Sequence, residues 1–195
     1  MPFQVDRAHY SPSLPYFDSP QSIGFGATIS APHMHAGAAE SLLPVLGPNA
    51  RVLDVGSGSG YLTHVLANLV GPNGTVIGID HISGLISLAQ ANMEKSAEGR
   101  ELLESGRVKF VKADGRLGYP PGEPYDAIHV GAAASTLHDD LVKQLKAPGR
   151  MFIPVDNEGG YGQSIWVVDK KEDGTVQKKR EYGVSYVPLT DAPKD

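Results

Sequence analysis

The chain has 195 residues, 41% of them hydrophobic and 20% charged, the profile of one soluble globular domain with a sizeable core. It contains no cysteine, which excludes a disulfide framework, a thiolate zinc site and a cysteine nucleophile. A net charge of −5 offers no global basic field to nucleic acid; with no apolar run of membrane-spanning length and no signal-peptide layout, a cytoplasmic protein is expected.

Residues 1–32 carry Pro12, Pro15, Pro20 and Pro32, which argue for an irregular arm rather than a long helix. From His33 to Leu46, Met34, Ala38, Leu42 and Val45 recur at helical spacing, with Pro44 near the end. A strand is predicted at Arg51 to Val55, then an apolar helix from Tyr61 to Val70, stopped by Gly71-Pro72-Asn73-Gly74. Thr75 to Asp80 reads as a second strand, feeding a helix from Ser83 to about Lys95. Val108 to Ala113 and Tyr125 to Val130 read as strands. An amphipathic helix over Leu137 to Leu145, closing at Pro148-Gly149, precedes a fifth strand, Arg150 to Val155.

This alternation predicts an α/β fold, a doubly wound, mostly parallel sheet with helices on both faces. Ser164 to Asp169 and Tyr182 to Pro188 are β-rich around Glu172-Asp173-Gly174-Thr175, so an antiparallel C-terminal edge is expected. Lys178-Lys179-Arg180 fits a solvated strand edge better than a polyanion site. The expected layout is a single domain: an arm at 1–32, an α/β core at 33–155 and the edge at 156–195.

The central signal is Asp54-Val55-Gly56-Ser57-Gly58-Ser59-Gly60 opening the helix at Tyr61. Glycines there let backbone approach a ligand, and a helix N-terminus supplies unpaired N–H groups. Asp80 follows Gly56 by about two dozen positions at a strand's C-terminal end, where a carboxylate accepts from ribose hydroxyls; its plain alternative is a helix cap. Asp114-Gly115 ends the next strand, placed to meet an adenine edge. NAD uses the same fold, but its turn reads Gly-x-Gly-x-x-Gly, and Asp54 would repel a pyrophosphate while suiting an ammonium and a sulfonium. S-Adenosylmethionine is the better match.

Further segments carry a more specific signal: Ser19-Pro20-Gln21-Ser22-Ile23-Gly24, Ala27-Thr28-Ile29-Ser30-Ala31-Pro32-His33-Met34-His35-Ala36, Gly78-Ile79-Asp80-His81, Asp114-Gly115-Arg116, Tyr125 through Ala133, and Tyr186-Val187-Pro188-Leu189-Thr190-Asp191. With the glycine turn, they resemble the protein-L-isoaspartate O-methyltransferase family along nearly the whole chain. The resemblance implies a Rossmann-like methyltransferase fold and S-adenosylmethionine as methyl donor, with S-adenosylhomocysteine as product. It also implies isoaspartyl (or D-aspartyl) peptides and proteins as acceptors, whose methyl ester collapses to a succinimide. Ser30 matches the family's active-site serine. Ala27, Thr28, Ile29, Ser30, His35 and Val55 match positions lining the cofactor, as do Asp54, Gly56, Ser57 and Gly58 of the turn. Asp80 with His81 and Asp114 with Gly115 match its ribose and adenine contacts, and Thr190 a C-terminal position near it. Family members carry a helical segment before the run that starts here at Asp6, and extend further beyond Thr190 than this chain does. A monomer acting without nucleic acid is expected.

The chemistry asks for little. A carboxylate with a pKa near 4 is already deprotonated at neutral pH and needs no general base; the protein must align oxygen, methyl and sulfur and exclude water. Ser30 then reads as an orienting donor, against the plain alternative of a turn hydroxyl or helix-entry cap ahead of Pro32. Thr28-Ile29-Ser30-Ala31-Pro32 is no hydrolase elbow. His33 and His35 lack a third ligand, and His64 and His138 are expected on helix surfaces, so no metal site is expected. A methyltransferase for RNA or a small molecule, a cofactor-binding relative without turnover, and an NAD-dependent dehydrogenase remain the competing readings.

Overall fold

The computed structural model describes residues 5–189. The arm opens with a 3₁₀ turn at Arg7–His9, capped by the Asp6 carboxylate. It then forms a hairpin of β1 (Gln21–Gly24) and β2 (Ala27–Ile29). The segment expected to be irregular therefore holds a small sheet of its own. No long alternating run announces it; Ile23 and Ile29 form it by burying their side chains with Tyr10 and Leu85.

α1 (Pro32–Leu42) begins with proline at its first position, where the missing N–H costs nothing. Its cap comes from the arm: Asp18 Oδ1 accepts from the His33 backbone N–H at 3.1 Å. The helix ends a turn earlier than expected, in a 3₁₀ stretch at Leu43–Val45, because Pro44 cannot donate to the helical ladder.

Next come β3 (Arg51–Val55), α2 (Tyr61–Leu69), β4 (Thr75–Asp80), α3 (Ser83–Met93), α4 (Ala97–Glu104), β5 (Val108–Lys112), β6 (Tyr125–Val130), α5 (Asp139–Gln144), β7 (Leu145–Asp156), β8 (Gln163–Lys170) and β9 (Val176–Val184). The seven-stranded sheet runs β5-β4-β3-β6-β7-β8-β9. β3 to β7 pair in parallel, and β8 and β9 add the expected antiparallel edge. Strand order reverses between β3 and β6, the switch point at which open α/β sheets bind ligands.

Both faces of the sheet are covered, unequally. Residues of α1, α2, α3 and α4 join Val52, Val76, Val108 and Phe152 on one side. On the other, α5 contributes Leu141, and much of the cover comes from loops carrying Tyr119, Leu137 and Leu189. The crossover from β5 to β6 contains Pro120, Pro121 and Pro124 and forms 3₁₀ turns instead of a helix.

Other differences from the sequence expectation are local. α4 is short and polar overall, with Leu102 its one large buried side chain, so little in its composition reveals it. β7 starts at Leu145, so Pro148-Gly149 lies inside a strand where its pairing with β6 is irregular. β9 starts at Val176 and places Lys178 to Arg180 on the solvated edge. After Val184 the chain leaves that edge and crosses to the end of β6: Ala133 N donates to Val187 O at 2.8 Å, and Leu189 N donates to Ala133 O at 2.7 Å. His64, expected on a helix surface, is 1% exposed, because Tyr10 of the arm covers it and brings its hydroxyl to Nδ1 at 2.5 Å. Among the described residues no helix is long and apolar enough to cross a membrane.

Candidate active site

The switch point is floored by backbone. Gly56 N and Ser57 N donate to Ile79 O at 2.8 and 3.0 Å, and Gly131 N donates to Val55 O at 2.7 Å. A Cβ on Gly131 would stand 3.1 Å from Gly56 O, so a side chain there would crowd the ends of β3 and β6 where they approach.

Three hollows open from this floor. A wide crevice of about 380 Å³ is lined by Phe25, Ala27, Asp80, His81, Ile82 and Gly115 among others. A narrow polar slot is walled by Ser30, His35, Asp54, Ser57, Tyr61 and His129. A groove of about 460 Å³ runs between Pro20, Ser30 and Met34 on one side and Val184, Tyr186 and Val187 on the other. Thr28 and Gly131 line all three. The hollows therefore converge on one point.

In the crevice, the Asp80 carboxylate is held by two backbone donors, Gly58 N at 3.2 Å and Ile82 N at 3.1 Å. It is 8% exposed, and burial raises its pKa despite those bonds. It braces the loop entering α3, whose own N-cap, Ile82, makes no side-chain cap bond. Gly115 lines the crevice; Asp114 turns its carboxylate to Arg116, at 3.0 Å to Nε and 2.6 Å to Nη2, which holds its pKa down.

In the slot, both oxygens of Asp54 already accept, from Thr63 Oγ1 at 2.5 Å and His129 Nδ1 at 2.7 Å. With 1% exposure, Asp54 is more committed internally than a free counter-ion for an ammonium. Ser57 Oγ is buried with no hydrogen-bond partner among the described residues, an orphan that calls for a ligand's polar group. His35 Nδ1 lies 3.0 Å from Arg7 Nη1. A guanidinium only donates, so the imidazole accepts at Nδ1 and carries its proton at Nε2. Burial, then the Arg7 charge, push the His35 pKa down to about 3, leaving a neutral ring. Arg7 also donates through Nη2 to Ser30 O at 2.6 Å and lies 5.0 Å from the centre of the Tyr61 ring.

In the groove, Ser30 does not cap α1, whose N-cap is Ala31 with no side-chain cap bond. It lines the groove together with Tyr186, whose hydroxyl burial pushes up to about 12 while the nearby Ser30 side chain pulls the other way. Of the remaining expected residues, Ile29 lines the slot and Val55 is wholly buried beneath the floor; Thr190 lies outside the described residues.

A model of the protein-L-isoaspartate(D-aspartate) O-methyltransferase (PCMT) family matches residues 3–194. The chain belongs to this family. A protein-L-isoaspartate O-methyltransferase of Triticum aestivum is 50% identical over 95% of this chain and 80% of its own length. Protein-L-isoaspartate O-methyltransferase 2 of Arabidopsis thaliana is 48% identical over 95% of this chain, which spans 60% of that relative. Among solved structures, a Plasmodium falciparum protein described as a protein-L-isoaspartate O-methyltransferase, in complex with S-adenosyl-L-homocysteine, is 35% identical. It superimposes with a TM-score of 0.88, covering 96% of this chain and 87% of that one.

Within this protein-L-isoaspartate O-methyltransferase framework, sequence reasoning overlooked Arg7, Phe25 and Tyr61 as parts of the site. Arg7 and Tyr61 are brought together from the arm and from α2, and no local motif links them. Phe25 could have been suspected from its place between Gly24 and Gly26, in the gap between two segments that carry the family resemblance.

Proposed function

We propose that the crevice and slot together hold S-adenosylmethionine and that the groove admits an L-isoaspartyl or D-aspartyl residue, whose free carboxylate is methylated where the hollows meet. The observation that carries this is the convergence of all three on Thr28 and Gly131. The fit is chemical as well as spatial: the wide part combines apolar Ile79, Ile82 and Leu85 with one carboxylate, suiting a nucleoside, while the slot is polar with an unsatisfied hydroxyl, suiting an amino-acid end.

S-Adenosylmethionine supplies an electrophilic methyl group on a sulfonium. Asp80 accepts from the ribose hydroxyls, braced by Gly58 and Ile82. The His35 Nε2–H and Ser57 hydroxyl hold the polar end, and Gly115, His81, Ala27 and Thr28 bound the nucleoside. Ser30 and Tyr186 donate to the acceptor carboxylate, fixing the oxygen that attacks. Small residues at Gly131 and Ala132 leave the transfer path clear. No general base is invoked, because the acceptor is already ionised at neutral pH; the rate gain comes from alignment and from fixed donors in a site closed to water. The resulting methyl ester is attacked by the following backbone nitrogen, which loses its proton as methanol departs and leaves the succinimide.

The groove walls are mostly apolar side chains and backbone, which suits an enzyme that must accept many damaged sequences. With this goes a monomer of the cytoplasm that acts without nucleic acid. The test pairs two peptides that differ only in an isoaspartyl or normal aspartyl linkage: labelled cofactor should place a base-labile methyl ester on the first and none on the second. Equal labelling of both, or labelling of RNA instead, would overturn the proposal.

A further inference from the structure

The tip of the β1–β2 hairpin reads Gly24-Phe25-Gly26, and all three residues have positive φ, +86°, +55° and +71°. Glycine adopts that conformation freely; a bulky side chain does so against a steric penalty. Phe25 is moreover 59% exposed, so burial in the core does not offset the strain. Strain of this kind persists where a side chain has other work.

The ring has a definite seat. It lies against Gly84, in the first turn of α3, where an added Cβ would come within 2.3 Å of the Phe25 ring. From that seat it lines the wide crevice together with Asp80, His81 and Ile82. A strained, solvent-exposed aromatic thus reaches from the hairpin to α3 across the mouth of the crevice. Gly84 lets it do so.

Building on the cofactor assignment above, we propose that Phe25 is a ligand-contacting residue that retains the nucleoside end of the cofactor, with Gly84 as the surface on which its ring rests. The ring loses its exposure only when the crevice is filled, so its apolar area contributes to binding and not to folding. The backbone strain is a standing feature of the free protein.

Two variants separate binding from stability. Phe25→Asn deletes the ring and keeps a residue that tolerates the left-handed conformation. Gly84→Ala displaces the ring from its seat while adding a better helix former to α3. Affinity for S-adenosylhomocysteine by calorimetry, its dissociation rate by stopped flow, and the unfolding temperature of the free protein are measured for each. Both variants should bind roughly three- to tenfold more weakly, mainly through faster dissociation. The unfolding temperature should not fall for Phe25→Asn, which relieves the strained backbone, and should rise for Gly84→Ala. The double variant should bind no more weakly than Phe25→Asn alone. Wild-type affinity and dissociation rate in Phe25→Asn would overturn the role of Phe25, and additive losses in the double variant would overturn the seat. Failure of the wild-type protein to bind S-adenosylhomocysteine would instead overturn the cofactor assignment on which this rests.

Discussion

Arg7 and His35 meet at 3.0 Å between a guanidinium nitrogen and Nδ1 of the ring, so a residue of the N-terminal arm sets the proton position of a residue on α1. The same guanidinium holds the Ser30 carbonyl, tying the groove and the slot to one charge. Replacing Arg7 with alanine leaves that carbonyl and Nδ1 without their donor and should cost about 2–3 kcal/mol of stability. It should also lower kcat/KM by at least about tenfold through lost alignment. Arg7→Lys keeps the charge but not the fork that spans both acceptors, so it should recover stability better than turnover. Urea unfolding and steady-state kinetics of the two variants check this.

The lowered pKa of His35 has a consequence for acid stability. Its folded value of about 3 lies below the ordinary 6.5; between those values the unfolded chain binds a proton that the folded protein does not. Stability present above pH 6.5 is therefore lost as pH falls toward 3, at no more than about 1.4 kcal/mol per pH unit for this group. Burial shifts His64 the same way and adds to the loss. Urea midpoints measured from pH 7 to pH 5 should fall for the wild type and fall less steeply for His35→Gln.

Asp80 offers its crevice-facing lone pairs because Gly58 and Ile82 hold the carboxylate from behind. Asp80→Asn removes the charge and turns one oxygen into a donor that faces donors. Affinity for S-adenosylhomocysteine, measured by calorimetry, should drop roughly ten- to hundredfold. A value equal to the wild type would remove Asp80 from the ribose role.

Ser30 and Tyr186 both line the groove, near enough for Ser30 to lower the Tyr186 pKa against the rise that burial causes. Ser30→Ala should reduce kcat/KM for an isoaspartyl peptide by roughly ten- to a hundredfold, because the attacking oxygen loses the donor that orients it. Tyr186→Phe should reduce it less and leave cofactor affinity near the wild-type value. A mutant loss confined to cofactor binding would place both hydroxyls in the wrong hollow.

Much of the core was legible in the linear chain. β3, β4 and β6 were expected with the ends they have, because strands buried on both faces are written as short, unbroken apolar runs bounded by glycine or charge. The glycine turn and Asp80 were legible for the same reason: their spacing is set by one strand, one helix and the next strand. The hairpin, α4 and the true start of β7 were not. Each depends on contacts from elsewhere: Tyr10 and Leu85 under the hairpin, the core around Leu102, and β6 alongside Leu145.

By itself, then, the sequence determined the fold class and the floor of the site, since these follow from local spacing and residue type, while the carboxylate acceptor that needs no base was implied by the family resemblance of its motifs. Only the tertiary structure decided which side chains face one another: Arg7 with His35, Asp54 with His129, Ser30 with Tyr186, Phe25 with Gly84. These partners stand far apart along the chain, and burial and charge pairing act through space rather than along it. The hollows that meet at Thr28 and Gly131 exist only once the arm and the C-terminal segment have closed over the sheet.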